Sequence, residues 1–265
     1  MKTLFIGAGN MANAICSGII KSNISCPSEI ILYDKNPNQY SKFNENCIRA
    51  SSLSSAVAEA NYIFLSVKPQ NLKEVLGEIK DLKINEKVFV TICAGIKMSS
   101  IEAILPGVKL IRVMPNTPLL IGRGASALCK NENATDTEFK HVEGIFASMG
   151  ITTRVNESNM DAITALTGSS PAYVYMFIKA LQDGALELGL DNPETINLIC
   201  QTLIGSALMV QNGNLSIEDQ IKMVKSPNGT TEKALNVLDN ENFNQIIINA
   251  MKACADRAGE LSNLF

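Results

Sequence analysis

The residues Gly7, Ala8, Gly9, Asn10, Met11 and Ala12 follow an apolar run, Leu4-Phe5-Ile6, and spell the pattern G-x-G-x-x-A. Glycines at this spacing allow a tight turn and a close approach of ligand to backbone, and a helix that opens at Asn10 points its first N–H groups at phosphate oxygens. Asp34 ends the next apolar run, Ile30-Ile31-Leu32-Tyr33, about 20 residues further on, where an acidic side chain reaches a ribose hydroxyl. Glycine turns also join strands to helices with no ligand. Strand, turn, helix and acid in this order point to a dinucleotide.

Three further loops follow apolar runs, the position at which open parallel sheets bind their ligands. They are Ser66-Val67-Lys68-Pro69-Gln70, Cys93-Ala94-Gly95 and Met114-Pro115-Asn116-Thr117-Pro118. Small residues and prolines suit a flat ring lying against backbone, and Asn116 has the amide to bind a carboxamide or ribose. A fourth loop, Ser226-Pro227-Asn228-Gly229-Thr230-Thr231, runs into a helix expected from near Glu232. Its hydroxyls and free N–H groups form a cradle for a carboxylate, the alternative being that Thr230 or Thr231 only caps the helix.

Conventional acid–base equipment is scarce. The single histidine, His141, falls within a surface helix and is expected to be solvated. No Ser-His-Asp or Cys-His set can be assembled, so the cofactor is expected to do the difficult step. The seven cysteines are scattered without a C-x-x-C pair and read as small buried hydrophobes rather than metal ligands. A net charge of −3 disfavours nucleic acid and anionic membrane surfaces. No apolar stretch has the roughly 18 residues of a membrane span, and the first strand begins at once, so a cytoplasmic location is expected.

The elements that must position these residues alternate through the first half. Apolar, β-rich runs at 62–67, 87–92 and 108–114 are each followed by a turn, and 125–129 and 151–155 supply late, edge strands around a helix over 135–149. The pattern predicts an N-terminal α/β, Rossmann-type, doubly wound parallel sheet over residues 1–156. Beyond it the β signal stops and residues 157–265 read as all helix, with one amphipathic stripe at Tyr173, Met176, Phe177, Ala180, Leu181 and Leu188. A second helix is expected from Asn192-Pro193-Glu194, and a last one carries Phe243, Ile246, Ile247, Ala250 and Cys254. Helices apolar over so much of their girth predict a homo-oligomer.

Taken together these motifs resemble the pyrroline-5-carboxylate reductases over nearly the whole chain. The 7–12 turn is similar to the nucleotide turn of that family, and Val67-Lys68-Pro69-Gln70 and Arg112-Val113-Met114-Pro115-Asn116-Thr117-Pro118 to its next two loops. The most specific piece is Asp161-Ala162-Ile163-Thr164-Ala165-Leu166-Thr167-Gly168-Ser169-Ser170-Pro171-Ala172-Tyr173, similar to the segment opening its helical domain. Ser170 and Asn228 stand where the family usually has glycine. Asn tolerates positive φ and Ser suits a helix start, so both shapes are expected to survive.

The resemblance implies hydride transfer from NADPH or NADH to the C=N carbon of 1-pyrroline-5-carboxylate, giving L-proline, the last step of proline biosynthesis. Ser226, Asn228, Gly229, Thr230 and Thr231 would bind the substrate, with a Thr230 or Thr231 hydroxyl at the ring nitrogen as the catalytic group. Ile6, Gly7, Ala8, Gly9, Asn10, Met11, Asp34, Lys35, Val67, Lys68, Pro69, Gln70, Ala94, Gly95 and Asn116 would bind the cofactor. Asp34 favours NADH by repelling a 2′-phosphate, whereas Lys35 and Asn36 suit NADPH. The family also implies that helical dimerisation domains pair, that a neighbour's loop completes the site, and that pairs form rings up to a decamer. Two rival readings are a related 3-hydroxy-acid dehydrogenase using Lys179 and a non-catalytic NAD(P)-binding regulatory protein.

Overall fold

The computed structural model describes residues 1–263. Its first element is β1 (Thr3–Ile6), followed by α1 (Asn10–Lys21), β2 (Ile30–Tyr33), β3 (Ile48–Arg49), α2 (Leu53–Glu59), β4 (Tyr62–Leu65) and α3 (Pro69–Ile79). Then come β5 (Val88–Thr91), α4 (Met98–Glu102), β6 (Lys109–Met114), β7 (Gly124–Lys130), α5 (Asp136–Ala147), β8 (Gly150–Arg154) and α6 (Met160–Ile163). A π-helical turn, Thr164–Gly168, leads to α7 (Ser170–Glu187), α8 (Thr195–Asn212), α9 (Ile217–Val224), α10 (Thr230–Asn240) and α11 (Phe243–Asn263).

All eight strands form one sheet in the order β3-β2-β1-β4-β5-β6-β7-β8, parallel throughout except for the antiparallel β6–β7 pair. The order turns outward in both directions from β1 and β4, so a crevice opens past their carboxyl ends. Strands β1, β4 and β5 are buried at every position, as expected of strands covered on both faces. Phe5 and Phe64 stack across β1 and β4 with centroids 4.8 Å apart under α1 and α5. Leu4, Ile63 and Phe89 face the opposite core with α2, α3 and α4.

Two expectations change. β7 is not an edge strand: it lies between β6 and β8, because the 115–123 turn reverses the chain and lets 124–130 pair back along β6. The short β3 was absent from the sequence reading, since Ile48-Arg49 is too brief to show a period.

Two compact units emerge, one comprising Met1–Pro171 with the chain from Met251 onward, the other Ala172–Ala250. Residues 157–171 stay with the sheet because Met160 and Ala165 are buried there and Glu157 receives the Met98 N–H at 2.6 Å. In the second unit α7, α8, α9 and α10 have no buried residue. Met176 and Leu188, both on the expected stripe, are 79% and 82% exposed. Within one chain this apolar surface has no cover, the physical signature of an oligomer-forming unit. α8 starts at Thr195 rather than at Pro193, because Asn192 Oδ1 accepts the Glu194 N–H at 2.9 Å and closes a separate turn ahead of the helix.

Candidate active site

The crevice past β1 and β4 is built by short-range geometry. Gly7 has φ +95, and a Cβ there would lie 2.8 Å from the Ser66 carbonyl and the Val67 nitrogen, so the turn closes only with glycine. Ser66 locks it from the next strand, its Oγ donating to the carbonyls of Ile6 and Gly7 at 3.0 and 2.8 Å. Gly9 caps α1 without a side chain, a Cβ on it would meet nothing within 4 Å, and the first turn of α1 holds no acid. The helix start therefore offers free N–H groups and a positive dipole end to open space. Lys68 begins α3 in the same uncapped way, with Pro69 in the first turn.

A cavity of about 460 Å³ lies against these turns, and Ile6, Gly7, Gly9, Asn10, Asp34, Lys35, Val67 and Lys68 line it. The space and its bare glycine backbone fit the diphosphate and ribose of a dinucleotide. Ala8 is buried behind the wall and donates its N–H to Asp34 Oδ2 at 2.7 Å. Asp34 Oδ1 takes the Asn36 N–H at 2.8 Å. Lys35 bridges Glu74 and Glu78 at 2.9 Å each, and the hydrogen bonds to Glu78 and then Glu74 push its pKa up.

The other expected cofactor residues lie outside the cavity wall. Met11, Pro69 and Gln70 sit in the first turns of α1 and α3. Ala94 packs against the core, and Gly95, at φ +76, has the carbonyl of Ala258 2.7 Å and Leu261 Cβ 2.8 Å from its missing Cβ, so it admits the end of α11. Asn116 is buried and its Oδ1 accepts the Ala125 N–H at 2.9 Å, which ties the end of β6 to β7. Sequence reasoning passed over Gln39, Lys42 and Asn71, which also line the cavity. Lys42 ends a 3-10 turn, Pro37–Lys42, too irregular to carry a periodic signal.

In the helical unit the 226–231 turn is shaped by Asn228 and Gly229. Asn228 takes φ +58, the left-handed conformation expected of asparagine in place of glycine. Gly229 faces Ser226, and a Cβ there would fall 2.2 Å from Ser226 Oγ, so any side chain would turn that hydroxyl away. α10 begins at Thr230 with Gly229 as its cap and no side-chain cap hydrogen bond, so neither threonine hydroxyl is spent on capping. Sequence reasoning also passed over Glu232, whose Oε2 receives the Asn228 N–H at 2.7 Å and whose Oε1 meets Lys225 Nζ at 3.2 Å. Its place three residues after the cap is the legible signal.

Elsewhere the groups are structural. His141 is half-buried rather than solvated, its ring 4.6 Å from that of Tyr62, and burial pushes its pKa down. Lys179 is exposed and paired with Asp183 one turn on. Cys16, Cys47, Cys93 and Cys129 are buried, but Cys26 is exposed and Cys200 and Cys254 half-buried, so the buried reading holds for only part of the set. Burial pushes the thiols of Cys93 and Cys129 up to about 11 and about 12, which keeps them protonated and unreactive. Among the described residues no group of three or more His, Cys, Asp or Glu is placed to hold a metal, and no helix is long and apolar enough to cross a membrane.

Residues 157–261 match the family model for pyrroline-5-carboxylate reductase dimerisation, and residues 2–95 match that for coenzyme F420-dependent NADP oxidoreductases. Pyrroline-5-carboxylate reductase of Haemophilus influenzae is 35% identical over 98% of this chain and 97% of its own length. The chain belongs to the pyrroline-5-carboxylate reductase family. The Escherichia coli reductase is 34% identical, with 97% of each chain covered. The crystal structure of Plasmodium falciparum pyrroline carboxylate reductase with NADP bound superposes with a TM-score of 0.93 at 32% identity, covering 99% of this chain and 98% of that one.

For a pyrroline-5-carboxylate reductase, the 161–173 segment carries a feature that sequence alone did not reveal. The Ser169 N–H reaches back to the Thr164 carbonyl at 2.9 Å, the wide spacing of a π turn. Ser170 opens α7 just beyond it, and Ser169 Oγ meets Cys254 Sγ at 3.1 Å. The serine in place of glycine at 170 is thus accommodated at a helix start.

Proposed function

We propose that this protein reduces 1-pyrroline-5-carboxylate to L-proline with NADPH or NADH. The observation that carries this reading is the bare helix start at Gly9 opening on a cavity that fits the diphosphate and ribose of a dinucleotide, in a chain whose reductase relatives match 98% of its length. When bound, the reduced nicotinamide supplies a hydride to the imine carbon, and the ring nitrogen takes a proton to become a secondary amine.

The chain's own contribution is binding and orientation. The Gly7–Gly9 turn and the first N–H groups of α1 hold the diphosphate. Ser226, Asn228, Gly229, Thr230 and Thr231 hold the substrate carboxylate through hydroxyls and the N–H groups at the start of α10. A Thr230 or Thr231 hydroxyl hydrogen-bonds the ring nitrogen as its proton arrives from water or enters with the imine. Fixing both reactants in this way is worth several kcal/mol of barrier, roughly 7 or more where the alignment is good.

The test follows the absorbance of NADPH and NADH in parallel with the cyclic imine as acceptor. Turnover with either supports the reading, and binding without oxidation would favour a regulatory protein. Replacing Thr230 and Thr231 together by valine is expected to lower kcat/KM by about a hundredfold, the loss of two transition-state contacts. Unchanged turnover removes them from the site.

The assembly proposed is a ring of dimers, up to a decamer, with the uncovered apolar faces of α7 and α8 buried between copies. Light scattering of the purified protein checks it. The cytoplasm is the proposed compartment, since all seven cysteines are free thiols and one, Cys26, is exposed, a state that persists in reducing surroundings.

A further inference from the structure

Five charged side chains line the cavity: Asp34 and Lys35 just past β2, Lys42 at the end of the Pro37–Lys42 turn, Lys68 at the cap of α3 and Glu74 within that helix. They are in very different electrical states. Asp34 has one carboxylate oxygen on the Ala8 N–H at 2.7 Å and the other on the Asn36 N–H at 2.8 Å. One oxygen holds the glycine turn and the other the loop after β2, and these two backbone dipoles blunt the negative charge that would repel a 2′-phosphate. Lys35 shares its charge between Glu74 and Glu78. Lys42 donates only to neutral amide oxygens, Asn10 Oδ1 and Gln39 Oε1, each at 2.9 Å. Its charge is not cancelled, and an ammonium has three donors, of which these contacts use two.

We infer that Lys42, held in position by Asn10 and Gln39, receives the 2′-phosphate of NADPH and sets a preference for NADPH over NADH. The inference rests on the proposed placement of a dinucleotide in this cavity. A dianionic phosphate at Lys42 forms a charge-assisted hydrogen bond through the spare donor, stronger than the neutral amide contacts that position the ammonium. Lys35 adds little, because any phosphate it met would also meet two carboxylates. The acid after β2, which by itself signals NADH, here shares the cavity with an ammonium whose charge no carboxylate offsets among the described residues.

Isothermal titration of the full-length protein separates these contributions without relying on turnover. The probes are NADPH against NADH and adenosine 2′,5′-bisphosphate against 5′-AMP. The 2′-phosphorylated member of each pair is expected to bind the unmodified protein about 10- to 100-fold tighter, and the ratio to shrink as salt is raised. Lys42→Gln should bring the ratio close to one, Lys42→Arg should keep most of it, and Lys35→Gln should change it by less than about threefold. Melting curves of each variant verify folding. Equal or tighter binding of NADH by the unmodified protein, a ratio that survives Lys42→Gln, or one abolished by Lys35→Gln, would each overturn the assignment. Failure of every nucleotide to bind would overturn the dinucleotide reading of the cavity and the assignment with it, whereas loss of discrimination alone would leave that reading standing.

Discussion

Arg112 on β6 meets Glu157, just past β8, with Nη1 3.1 Å from Oε1 and only 2% of the arginine side chain exposed. Asp161 completes the arrangement, 3.5 Å from Nη2. The same Glu157 oxygen takes the Met98 N–H at 2.6 Å, so one carboxylate ties β6, the start of α4 and the segment leading to α6 together. The two carboxylates are 28% and 29% exposed and the cation is not. The energetic burden is therefore lopsided.

That asymmetry gives the first prediction. Replacing Glu157 by Gln and Asp161 by Asn together strands a buried guanidinium and should cost about 3–5 kcal/mol of stability. Arg112→Met should cost less, since both carboxylates are partly exposed and Glu157 keeps the Met98 N–H, but the buried Asp161 Oδ1 would still lose its counter-charge. Urea midpoints of the two variants at one protein concentration provide the comparison. A larger loss in Arg112→Met would show that the arginine stem, rather than its charge, is what matters.

Asp34 offers a second test, because its carboxylate accepts the Ala8 and Asn36 N–H groups. Asp34→Ala should loosen the glycine turn and weaken NADPH and NADH alike, each by about tenfold. Titration calorimetry reads both affinities. A loss confined to NADH would mean that the side chain grips ribose directly.

At the 226–231 turn, Gly229→Ala places a Cβ where Ser226 Oγ now sits and turns that hydroxyl away from the loop. KM for the imine should rise by about tenfold or more, while dinucleotide affinity stays the same. Asn228→Gly keeps the left-handed conformation at φ +58 and should change KM less than about twofold; Asn228→Val, strained at positive φ, should resemble Gly229→Ala. Steady-state kinetics on the three variants decides this.

Glu232 predicts a pH dependence for the same turn. The Asn228 N–H, followed by the Lys225 ammonium, holds its carboxyl below the usual glutamate range. A depressed carboxyl contributes order that is fully present above its unfolded value and is lost as pH falls through the folded one. Hydrogen exchange at the Asn228 amide, corrected for intrinsic rate, should therefore show protection at pH 6 that fades below about pH 4. In Glu232→Gln the pH-dependent part should vanish.

The legible parts of this protein were those governed by neighbours along the chain. The strand-turn-helix at Leu4 to Ala12, the switch from strands to helices, and the left-handed Asn228 all follow from a few consecutive residues, because turn sterics, helix starts and apolar period act at short range. Even the uncovered faces of α7 and α8 were visible as too much apolar girth for one chain to bury. Tertiary structure decided what each polar group does. Strand pairing brings Asp34 to Ala8 and turns β7 back along β6, while helix packing brings Lys35 to Glu74 and Glu78 and lays α11 over Gly95. A side chain's type is written locally, but its charge is cancelled or left free by partners far away in sequence, as Glu74 and Glu78 offset Lys35 while Lys42 meets only amide oxygens.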